Sequence, residues 1–71
     1  MITKEMLDNW FTYHAPDAED LPKFAAIRVA AHQLATVLVE VTPPSADQSD
    51  ALRKLREVVM TANAAIACKG K

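Results

Sequence analysis

Residues 20–45 read DLPKFAAIRVAAHQLATVLVEVTPPS, and this stretch decides the fold. Within it Phe24, Ile27, Ala31, Leu34, Leu38 and Val41 recur at spacings of 3, 4, 3, 4 and 3, a heptad stripe along one helix face. Ala26, Val29, Ala30 and Val37 lie off that stripe, and Val39 lies on a third side. A helix that is apolar on more than one face is buried on more than one face. Pro22 fits only the first helical turn, where its missing N–H would be unpaired anyway, so the helix starts near Asp20 and runs to about Val41. Thr42-Pro43-Pro44-Ser45 then breaks it, because two consecutive prolines cannot continue a helix.

Downstream of the break, Ser45 with Gln48 three residues on forms a capping-box signature. A second long helix is predicted from about Ala46 to Cys68, with Gly70 just past its end. Its stripe is Leu52, Leu55, Val59, Ala62 and Ile66. So short a connection makes the two long helices antiparallel neighbours, each roughly 30 Å long. Upstream, residues 3–12 read as a short helix: Thr3 is its N-cap, Glu5 suits the first turn, and Met6, Leu7, Trp10 and Phe11 share a face. Too short to be stable alone, it must dock on the hairpin. His14-Ala15-Pro16-Asp17 ends it, since the residue before a proline is pushed out of helical geometry. The expected fold is all-α: one helical-hairpin domain over residues 1–71, two long antiparallel helices and a short N-terminal one, assembling as a homo-oligomer.

Composition explains the last clause. A chain of 71 residues buries little surface, and chains this small use disulfides, a metal or a partner chain. One cysteine, Cys68, excludes an internal disulfide; His14, His32 and that thiol offer no metal-ligand cluster, and no cofactor is expected. Partner chains remain, and 51% hydrophobic residues favour them. The net charge of −1 argues against DNA. No run approaches roughly 18 apolar residues and no cleavage signal is present, so neither a membrane span nor export is expected. A single thiol suits a reducing cytoplasm.

Three of the four aromatic rings, Trp10, Phe11 and Tyr13, fall within four residues, and Phe24 follows one helical turn before Arg28. Phe11, Phe24 and Trp10 read as packing, the first and last stapling the short helix to the hairpin. Tyr13 and His14 fall after that helix has ended and are poorly placed as core. An exposed ring is a sequence-tolerant platform for a base, and arginine is the preferred planar partner of a phosphodiester. Antiparallel pairing puts Lys23 and Arg28 at one end of the hairpin and Arg53, Lys54 and Arg56 at the other, as two separate basic sites; the latter three are expected on a solvated face with Asp50 and Glu57. Asp17, Glu19 and Asp20 read as helix-start acids, and His32 as a half-buried packing residue. Asn63, an amide among alanines, must find partners if it is buried. No catalytic constellation is visible.

Taken in order, Tyr13-His14-Ala15-Pro16, Ile27-Arg28, Pro44-Ser45, Ala51 to Leu55, and Met60-Thr61-Ala62-Asn63-Ala64-Ala65-Ile66-Ala67 resemble the phage anti-CBASS cyclic-oligonucleotide sponge family over about residues 10 to 67. The hairpin is also similar to the helical domain of phage anti-Thoeris sponges, which bind cyclic ADP-ribose signals and carry a further domain. The first resemblance implies a homohexamer that sequesters cyclic dinucleotides, without cleaving them, in the host bacterial cytoplasm. It implies Tyr13 as the base-stacking ring, Arg28 as the phosphate cation, and His14 and Pro16 as pocket shapers; Lys23 and Trp10 join them by charge and position. Some relatives also hold cyclic trinucleotides, at a basic site for which this chain offers only Asn63 and Ala64. The competing class is a helical-hairpin assembly factor with no small ligand.

Overall fold

Three helices and no strand make up the computed structural model, which describes residues 1–71: α1 (Lys4–Trp10), α2 (Leu21–Val41) and α3 (Ala46–Ala67). Thr3 begins α1 by accepting the Met6 N–H on its hydroxyl at 3.2 Å. Pro22 sits in the first turn of α2. Ser45 caps α3, its Oγ accepting the Gln48 N–H at 3.1 Å. The expected capping box is only half built, because the Gln48 amide does not reach back to Ser45. Instead Nε2 donates to the Thr42 carbonyl and the Thr42 hydroxyl, both at 3.1 Å. Thr42 ends α2, where carbonyls lose their helical partners, so Gln48 braces the turn from the far side.

At its other end α3 closes in a Schellman motif: the Gly70 N–H donates to the Ala65 carbonyl at 2.9 Å and the Lys69 N–H to the Ile66 carbonyl at 3.2 Å. The left-handed position glycine normally fills is taken by Lys69, with φ of 58°. A side chain there is disfavoured by contact between Cβ and the backbone, so something else must hold Lys69 in place.

α2 and α3 lie side by side as an antiparallel pair in a molecule 44 × 30 × 15 Å. A body one helix thick has two open broad faces, and no hydrophobic residue is buried. On α3 the half-buried positions include the whole expected stripe, Leu52, Leu55, Val59, Ala62 and Ile66. On α2 they are Phe24, Ala25, Ile27, Ala31, Ala35 and Leu38, so Ala35 takes the place expected for Leu34, and Val41 is exposed. The drift is that of a straight helix with 3.6 residues per turn, which walks away from a strict 3.5 repeat. Leu21, Val29, Leu34, Val37, Val39 and Val41 are left facing solvent.

α2 also corrects the expectation that nothing reaches membrane-spanning character: its 21 residues include a window of mean hydropathy 1.4. Counting uninterrupted apolar runs hides this, because an average tolerates isolated charges. The core helix of a soluble protein meets the same measure.

The short helix docks on the far end of α3. Asn9 Nδ2 donates to the Cys68 carbonyl at 3.3 Å, and Trp10 Nε1 to the Lys71 carbonyl at 3.1 Å. Trp10 is therefore a staple, 39% exposed, but Phe11 is not, at 84% exposed. Helix α1 stops one residue before Phe11, which turns it off the apolar face that the predicted length would have given it.

Candidate functional site

Residues 11–20 carry the chain from α1 to α2. His14 fixes their path: its half-buried ring hydrogen-bonds through Nε2 to the Asn9 carbonyl at 2.6 Å. A carbonyl oxygen can only accept, so Nε2 carries the hydrogen and donates it. Pro16 limits the next bend, and the Thr12 hydroxyl donates to the Asp8 carbonyl. With its neighbours tied down, Tyr13 stands away from the chain, 84% exposed.

Tyr13, His14 and Pro16 line a cleft of about 300 Å³ together with Phe24, Asp20 and Lys69. Asp20, at 6% exposure the one buried residue of the chain, forms its ionic floor. Its carboxylate accepts from Lys69 Nζ at 3.1 Å and faces Lys23 Nζ at 3.5 Å, while Lys69 also donates to Asp17 at 2.8 Å. The Lys69 hydrogen bond holds the Asp20 carboxyl below the usual carboxylate range, against the opposing effect of burial. Hydrogen bonds from Asp17 and Asp20 in turn raise Lys69. Asp20 is thus no capping acid: its side chain caps no α2 N–H, and it anchors the end of α3 to the start of α2.

The six residues singled out from the sequence do not share one surface. Tyr13, His14 and Pro16 come together; Trp10 lies beside a separate recess with Cys68 and Lys71; Lys23 is engaged with Asp20. Arg28 lines another cleft, of about 420 Å³, with His32 and Arg56 above Leu52, Leu55 and Val59. Arg28 and Arg56 are therefore not at opposite ends of the hairpin. Both lie near the middle of their helices, and antiparallel pairing brings them level. His32, expected half-buried, is exposed at this cleft. Lys54 does pair with Asp50, at 2.5 Å.

Two participants carried no usable sequence signal. Lys69 reads as a residue before a terminal glycine, and only the matched lengths of α2 and α3 place it against Asp20. Arg56 reads as one charge in a solvated run. Asn63 is half-buried and its Oδ1 is covered by the chain itself without a hydrogen-bond partner. The chain holds no group of three or more His, Cys, Asp or Glu side chains able to bind a metal ion.

A family model described as Acb2/Tad1, hairpin domain, matches residues 4–67. No curated protein and no solved structure matches the chain.

Proposed function

The chain belongs to the Acb2/Tad1 hairpin-domain family of phage sponges, which sequester cyclic-nucleotide immune signals rather than act on them as enzymes, and from that premise we propose a specific ligand and assembly. The protein binds cyclic dinucleotides such as 3′,3′-cyclic GMP-AMP as a homohexamer in the host cytoplasm and so silences CBASS signalling. The division of the site carries this reading. Tyr13 offers a phenol ring with no free cation beside it, and Arg28 offers a guanidinium in a cleft whose one ring is the His32 imidazole. A second copy related by a two-fold axis supplies each half twice, which suits a ligand with two bases and two phosphates.

The bare faces of the hairpin support the assembly. With no hydrophobic residue buried, one chain lacks the apolar burial that offsets its own ordering entropy. Further copies seated on Val29, Val37 and Val39 supply it.

Calorimetry with 3′,3′-cyclic GMP-AMP, paired with native mass, tests both parts. Saturable heat on a hexamer, with intact nucleotide recovered after denaturation, is the expected result. A folded oligomer giving no heat at tens of micromolar ligand would refute it, and binding only of a cyclic ADP-ribose or a cyclic trinucleotide would move the protein to another branch of the family.

A further inference from the structure

Arg56 has no assigned role, yet it meets Arg28 across one cleft. Leu52, Leu55 and Val59 floor that cleft, His32 edges it, and no acidic residue lines it. Elsewhere the chain pairs its cations closely. Four of its five lysines, Lys4, Lys23, Lys54 and Lys69, hold a carboxylate within 3.5 Å, whereas none of its three arginines does. Nine carboxylates are available, and Glu57 is the next residue after Arg56. The guanidiniums stand unpaired, and two of the three share this cleft.

Two unpaired guanidiniums over an apolar floor suit one class of occupant. A guanidinium is planar, weakly hydrated and matched to phosphate oxygens two at a time. The floor of Leu52 and Val59 suits a flat, weakly polar body such as a base or ribose face. A second copy of the chain seated here would instead press two guanidiniums against apolar side chains, at a desolvation cost that only imported carboxylates offset. We infer that Arg56 is a second phosphate-binding residue, acting with Arg28 from the facing helix on the phosphodiester ring of a cyclic nucleotide. The inference rests on the sponge reading above and extends its site from α2 onto α3.

Arg53 provides the control, being an exposed, unpaired arginine on the same helix that does not line the cleft. Wild type, Arg56→Ala, Arg56→Lys and Arg53→Ala are titrated with 3′,3′-cyclic GMP-AMP, and the native mass of each is recorded. Arg56→Ala weakens binding about 10- to 100-fold, as expected for losing charge-assisted hydrogen bonds. Arg56→Lys falls between, keeping the charge without the fork, and Arg53→Ala binds like wild type; all four keep the same mass. Wild-type affinity in Arg56→Ala overturns the inference alone. Loss of oligomer mass in Arg56→Ala also overturns it, because Arg56 then belongs to a subunit contact. A wild type that binds no cyclic nucleotide overturns the sponge reading, and this inference with it.

Discussion

Lys69 donates to the Asp20 carboxylate at 3.1 Å across 49 residues of sequence, and Asp20 is the one buried residue in the chain. This contact closes the open end of the hairpin. It ties the last turn of α3 to the first of α2 and, through Asp17, to the segment that presents Tyr13. It also accounts for a lysine in the left-handed conformation. A buried carboxylate needs a cation, and that backbone geometry puts one in reach.

Removing the cation should loosen the segment without melting the hairpin. In Lys69→Met, amide hydrogen exchange over residues 12–20 speeds up while the middles of α2 and α3 exchange as before; Lys69→Arg keeps the protection. Lys69→Gly loses the ion pair but relieves the backbone, so its exchange should fall between Lys69→Met and wild type. Protection equal to wild type in Lys69→Met would show that the ion pair contributes nothing.

Asp20 should also shape stability at low pH. Its carboxyl titrates below 3.8 in the folded chain, so its contribution is fully present above that value and is lost as pH falls through the folded pKa. The Asp20 share of the thermal midpoint is therefore flat between roughly pH 5 and pH 7 and declines below about 4. In Asp20→Asn the neutral-pH midpoint is lower and the acid decline is shallower. An unchanged acid limb would exclude Asp20 as its source. Lys69, raised above 10.5, has the opposite sign: its contribution is present at neutral pH and lost as pH rises through the folded pKa.

Tyr13 is free enough to act on a ligand alone. Tyr13→Ala should weaken cyclic dinucleotide binding by about 1–3 kcal/mol for each base it stacks, with native mass unchanged, while Tyr13→Phe keeps most of the affinity. Arg28→Ala should lose binding with the same mass. A change of mass in either variant would assign that residue to subunit packing.

Asn63 should be a liability within the hairpin. A covered amide oxygen without a donor destabilises by about 1–3 kcal/mol, so Asn63→Leu, similar in size, should raise the melting temperature. A lowered melting temperature, or a changed oligomer mass, would mean that assembly turns the amide toward a partner.

Much of the fold was legible because its signals are local. A heptad stripe, a double proline and a serine cap each act within a turn or two of chain, and together they specify two helices that must pair antiparallel. Local signals also separated Tyr13 from the packing rings, since a ring beyond the helix end has no apolar face to join. They failed where a contact depends on the rise of both helices at once. The sequence placed Arg56 at the end opposite Arg28, read Asp20 as a cap, and had no use for Lys69. Phe11 was misplaced by a smaller error, a predicted α1 extending past its actual end at Trp10.

By itself, then, the sequence determined the two long helices and where the chain reverses between them. Periodicity and proline chemistry act through neighbouring residues and can be read one turn at a time. Tertiary structure alone decided which cations are engaged and which stand free: Lys23 and Lys69 with Asp20, Arg28 level with Arg56. Charges dozens of residues apart are brought level or kept apart by the axial register of two helices, and register is a property of the pair rather than of either strand of sequence.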